Sequence, residues 1–148
     1  MSFWQSFLDT YNKNHLKVLW TILVINLLIS LNLIFYFSLN PTIPIMAIIS
    51  AIIMININIK LRRRNIIDKV TVYLTNYLNG LSIVIWTYIT LILTQKPHGG
   101  PTLLSYFDGL GIVAILVYAI IILFITNATN TIECSYLILK YKKIVKNQ

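Results

Sequence analysis

The sequence predicts an all-α, integral membrane four-helix bundle, built as two transmembrane hairpins behind an interfacial amphipathic helix. Three observations predict it. Hydrophobic residues make up 57% of the 148 residues and charged ones 11%, against about 25% charged in a soluble domain. The apolar residues fall in four long runs, and helices made of such runs have no polar face to turn towards water. The cations behind the net charge of +8 cluster at the ends of those runs. One domain is the natural count at this length.

Residues 1–16 come first. Phe3, Trp4, Phe7, Leu8 and Tyr11 recur at helical spacing, with Gln5, Ser6, Asp9 and Lys13 mostly elsewhere. The pattern predicts an amphipathic helix lying among lipid headgroups. A frayed start carrying a few aromatics is the alternative. A cleaved secretory signal is not expected, because the apolar run that follows is too long and no small-residue cleavage site ends it.

The first span is expected over about 18–38, free of charge and near the roughly 20 residues that cross a bilayer core. Leu39-Asn40-Pro41-Thr42-Ile43-Pro44 then makes a turn. The second span, about 45–60, is short, so Lys60 has to reach out to the interface. Five cations follow within ten residues: Lys60, Arg62, Arg63, Arg64 and Lys69. They cannot sit in hydrocarbon, so they mark a loop at the membrane surface.

The third helix is expected to start near Ile66 and to cross over about 72–94. At 100° per residue one side is wholly aliphatic: Leu74, Leu78, Leu81, Ile85, Ile89 and Ile92. The opposite side holds Tyr73, Asn76, Tyr77, Gly80, Val84 and Thr87 and is expected to pack on other helices. The 95–109 connection contains Lys96-Pro97-His98-Gly99-Gly100-Pro101, which excludes regular structure there. The fourth span is expected over about 110–130. Gly111, Ala114, Tyr118, Thr129 and Glu133 lie roughly on one side of it, read as its packing face. The basic segment 131–148 then extends the helix into the cytoplasm.

Orientation follows from the cations. Lys13 and Lys17, the central five, and the tail's Lys140, Lys142, Lys143 and Lys146 lie in alternate connections. Four spans place all of these on one side, which the positive-inside rule makes cytoplasmic. Both termini are then inside, in a plasma (bacterial inner) membrane. The same rule accounts for the charge better than nucleic-acid binding does, so no nucleic-acid partner is expected.

The chemistry read from the residues is mostly negative. Asp9, Asp68, Asp108 and Glu133 are expected at or beyond the interfaces, which argues against a proton-coupled carrier. His15 and His98 fall on opposite sides and cannot share a metal or haem. Cys134 is the single cysteine, so no intrachain disulfide can form. No catalytic residue, metal or cofactor is expected, and the chain reads as a non-enzyme.

Asparagine supplies the polar groups within the spans: Asn26, Asn32, Asn56, Asn58, Asn76, Asn79, Asn127 and Asn130. Amides in lipid need partners. Hydrogen bonding between helices is the plainer expectation, with Asn26, Asn56, Asn76, Asn79 and Asn127 as the contacts. The alternative is a polar cavity open to the cytoplasm, lined by Asn76, Asn79 and Asn127. Lys60, Arg62, Arg63, Arg64 and Lys69 set topology and are the expected site for anionic headgroups or a partner's acidic patch. Glu133 is the acid placed to pair with an arginine of that loop.

In size and four-span plan the chain resembles several groups of small bacterial membrane proteins. Bacteriocin immunity proteins and small polyprenyl-sugar flippases are among them, and the resemblance is one of architecture. The expected role is that of an accessory, regulatory or immunity component, acting by contact with lipid, another membrane protein or its own copies. A small oligomeric transporter, flippase or pore with an asparagine-lined path is the alternative.

Overall fold

The structure is a computed structural model that describes residues 14–35, 40–63, 67–94 and 109–146. It is all-helical over those residues, with α1 at His15–Phe35, α2 at Thr42–Arg63, α3 at Lys69–Thr94 and α4 at Gly109–Lys146. All four helices are long and apolar enough to cross a membrane. Most of the expected amphipathic segment 1–16, Arg64, and the 95–108 connection lie outside the described residues.

The helix starts follow from local chemistry. Asn40 caps α2: its side-chain oxygen accepts from the Thr42 N–H at 3.1 Å and from the Thr42 hydroxyl at 2.9 Å. Pro41 follows the cap and Pro44 lies in the first turn, where a missing N–H breaks no ladder bond. The helix therefore takes up much of the expected turn. At α3, the Asp68 carbonyl accepts from the Val72 N–H at 3.1 Å. The helix begins at Lys69 rather than near Ile66, with Asp68 as the half-in residue before it.

Neighbours in sequence are neighbours in space, and α4 closes the ring onto α1. The most extensive pairings are α2 with α3 and α1 with α4, while of the four neighbouring pairs α1 and α2 touch least. The expected hairpins are therefore not the closest-packed pairs. His15 lies 4.5 Å from Tyr141, ring to ring, and Arg62 meets Tyr73. These contacts gather Lys17, Lys60, Arg62, Arg63, Lys69, Lys140, Lys142 and Lys143 at one end, the basic end.

Two apolar clusters lie along the bundle. One, towards the basic end, joins Leu19, Ile22 and Leu23 of α1, Met54, Ile57 and Leu61 of α2, and Cys134, Leu137 and Ile138 of α4. The other joins Ile29, Ala47, Trp86 and Leu123, one from each helix. Leucines 28 and 31, Ile34 and Ile45 point outward and are exposed, as expected of side chains that face lipid.

The packing faces of α3 and α4 differ from expectation. On α3 the buried stripe is Val72, Thr75, Asn79, Ser82 and Trp86, a three-four spacing that falls between the two faces read from sequence. Tyr73, Tyr77 and Val84 are exposed. The split was made on polarity, and the real seam mixes polar and apolar groups on small-to-medium side chains. On α4, Ala114 and Tyr118 are exposed and packing runs from Ile122 to Ile138. Counting twenty residues along antiparallel α1 and α4 from the His15–Tyr141 contact puts Phe35 level with Ile121. The stretch 109–120 thus overhangs α1 by about 18 Å at 1.5 Å per residue.

Candidate functional site

Most polar side chains within the bundle are hydrogen-bonded, while Asn26 Nδ2, Asn58 Oδ1, Trp86 Nε1 and Glu133 Oε2 are buried without a partner. Asn79 and Asn130 bond reciprocally across α3 and α4: the Asn130 amide donates to the Asn79 oxygen at 2.8 Å, and the Asn79 amide donates back at 3.2 Å. Asn26 accepts from the Ser50 hydroxyl at 3.1 Å, joining α1 to α2. The Asn58 amide donates to Thr75 and Asn76, each at 3.2 Å, joining α2 to α3. Thr126 donates to its own helix at Ile122 and also reaches the Leu78 carbonyl of α3.

Of the five asparagines expected to make contacts between helices, Asn26, Asn76 and Asn79 are placed in such bonds. The amides of Asn56 and Asn127 donate instead to Ile52 and Leu123, four residues back on their own helices at 2.9 Å. The residues that complete the interhelical set are Ser50, Asn58, Thr75 and Asn130. Asn58 and Asn130 stood among the polar residues of the spans; Ser50 and Thr75 carried no signal, being small groups that belong equally well to a helix interior or a lipid face.

At the basic end, Arg62 donates to the Tyr73 hydroxyl at 3.1 Å, with its guanidinium 4.9 Å from the ring centre. Lys142 sits 5.2 Å from the Trp20 ring and Lys140 5.9 Å from the Tyr136 ring. Each is a cation held over an aromatic face. Arg63 and Lys69 are exposed and Lys60 is half-buried.

Glu133 is not beyond the bundle. Eight residues before Tyr141, it lies level with Leu23, about 12 Å in from the His15 end at helical rise. The sequence reading took Asn130 as the end of the fourth span, but α4 packs on for two further turns through Cys134, Leu137 and Ile138. Its contact is with the Asn58 side chain. Glu133 Oε2 is buried and without a partner, and so is Asn58 Oδ1.

Glu133 also lines a groove of about 440 Å³ between the start of α3 and the middle of α4. Asp68, Thr71, Thr75 and Thr129 supply its other polar groups, and Ile67, Ile132 and Tyr136 its apolar wall. Asp68 and Glu133 are the chain's two acids among the described residues, and both face this one space. The sequence hinted at it only through an acid after an apolar run. No protein-family model, curated protein or solved structure matches the chain.

Proposed function

We propose that the chain is a multi-pass protein of the bacterial plasma membrane, with both termini cytoplasmic, that acts by contact and not by catalysis. In this reading it is an accessory, regulatory or immunity component of a larger membrane system. Lys60, Arg62, Arg63, Arg64 and Lys69 would face anionic headgroups or a partner's acidic surface. The observation that supports it best is the pairing of the interior amides. Asn26, Asn58, Asn76, Asn79 and Asn130 bond to one another or to a hydroxyl. Towards the end opposite the cations, Ile29, Ala47, Trp86 and Leu123 close the interior with apolar groups. Paired amides below an apolar plug suit a packed bundle better than a conduit.

Purification of tagged chain in mild detergent tests this. A stoichiometric membrane partner, or co-purifying anionic lipid that is lost in the Arg62→Gln, Arg63→Gln variant, is the expected result. The competing reading, a small oligomeric transporter, draws on the groove at the basic end. Flux of a cation into liposomes holding the pure protein, without any partner, would replace the contact reading by that one.

A further inference from the structure

The α3–α4 groove has the makings of a binding site for a cation. Its volume of about 440 Å³ falls in the range of small-molecule sites, about 300–1,000 Å³. Asp68 stands at its mouth, just before α3, and is exposed. Glu133 lies deeper, beside buried Asn58. Two buried atoms lack a partner at this depth, Oε2 of groove-lining Glu133 and Oδ1 of its neighbour Asn58, which lies outside the lining, and both are acceptors. Buried acceptors normally have donors, and a positive charge beside Glu133 would favour its ionised form at this depth.

Of the neighbouring threonines, Thr75 and Thr129 do not meet that need. Thr75 donates to the Thr71 and Val72 carbonyls and Thr129 to that of Ile125. Their hydroxyl protons are already engaged within their own helices, so these oxygens too present lone pairs. Arg62, an arginine of the rim, is held at Tyr73. The groove therefore offers two carboxyl groups and mostly acceptor oxygens, with the Thr71 hydroxyl, beside an apolar wall of Ile67, Ile132 and the Tyr136 ring.

We propose that this groove binds a small amphipathic primary amine, its ammonium group between Glu133 and Asp68 and its apolar body against Ile132 and Tyr136. A primary ammonium carries three N–H donors as well as the charge. A quaternary ammonium brings charge alone and leaves the acceptors unmet. The exposed cations of the rim lower the affinity at low salt and do so less as ionic strength rises. The inference does not rest on the contact reading above, since a ligand site is compatible with either role.

Hexylammonium chloride is the probe, titrated by calorimetry into the full chain in an uncharged detergent. The expected result is saturable one-to-one binding, with hexan-1-ol giving none and hexyltrimethylammonium binding at least tenfold more weakly. Glu133→Gln should abolish binding. Asp68→Asn keeps a good helix cap while removing the charge, and should weaken binding at least threefold. Equal binding of the alcohol, of the quaternary salt, or by Glu133→Gln would overturn the proposal, as would no saturable binding at all. Should Glu133→Gln not fold, Asp68→Asn decides, and an unchanged affinity there overturns it equally.

Discussion

Asn79 and Asn130 show what a buried amide does in an apolar bundle. Each is donor and acceptor to the other, so removing Asn79 strands the whole Asn130 amide, while removing Asn130 strands the Asn79 oxygen, its nitrogen keeping the Thr75 carbonyl. Asn79→Leu or Asn130→Leu alone should cost about 1–3 kcal/mol, the penalty of an orphaned polar group. The double variant should cost less than either, near the roughly 0.6 kcal/mol of an average interhelical bond. Reversible unfolding in mixed micelles measures this; additive losses would mean that the pair is not coupled. Glu133 makes the opposite case. A glutamine there removes the charge and can donate to Asn58 Oδ1, which now lacks a partner. Glu133→Gln should therefore stabilise the unliganded protein by on the order of 1 kcal/mol, read as a raised melting temperature. A loss of stability would show that the carboxylate is needed by the fold rather than by a ligand.

At the level of elements, the number of helices and their apolar character were legible, because bilayer-length runs free of charge have few other uses. Their faces were less so. In water, polarity separates the outside of a helix from its inside; in a bundle of this kind both faces are apolar and the seam carries the small and polar groups. The stripe Val72, Thr75, Asn79, Ser82 and Trp86 could have been found by following three-four spacing through Asn79, instead of dividing tyrosines from leucines. A pair of substitutions checks the revised face. Ser82→Phe overfills a buried position and should cost about 1–3 kcal/mol, whereas Val84→Phe, at a side chain that is 66% exposed, should be nearly neutral. The length of α4 misled for a related reason. Its apolar run begins at Leu110, but among the side chains described the first buried one is Ile122, and register is set by partners that hydropathy cannot see. Glu133, read on the packing face but at or beyond the interface, lies further in by that same shift, and the groove was missed with it.

For the whole molecule, the alternation of basic and neutral connections predicts an even number of crossings, and the contacts bear on the same arrangement by another route. Asn58 reaches Thr75 and Arg62 reaches Tyr73, tying the end of α2 to the start of α3. His15 meets Tyr141, tying the start of α1 to the end of α4. Cys134 lies 3.6 Å from the Met54 sulfur, linking the two pairs across the core. Arg63 and Lys143, eighty residues apart in sequence, must then lie at the same end of the bundle. Cysteines placed singly at these exposed positions, in a Cys134→Ala background, should react with a membrane-impermeant maleimide from the same side, and from the cytoplasmic side if positive charge directs insertion. Reaction of both from the outside would keep the bundle and reverse its orientation, moving the groove and the basic rim away from any cytoplasmic partner. Reaction from opposite sides would break the bundle itself, because no set of contacts that joins α2 to α3 and α1 to α4 through Met54 and Cys134 can place those two residues across a membrane from each other.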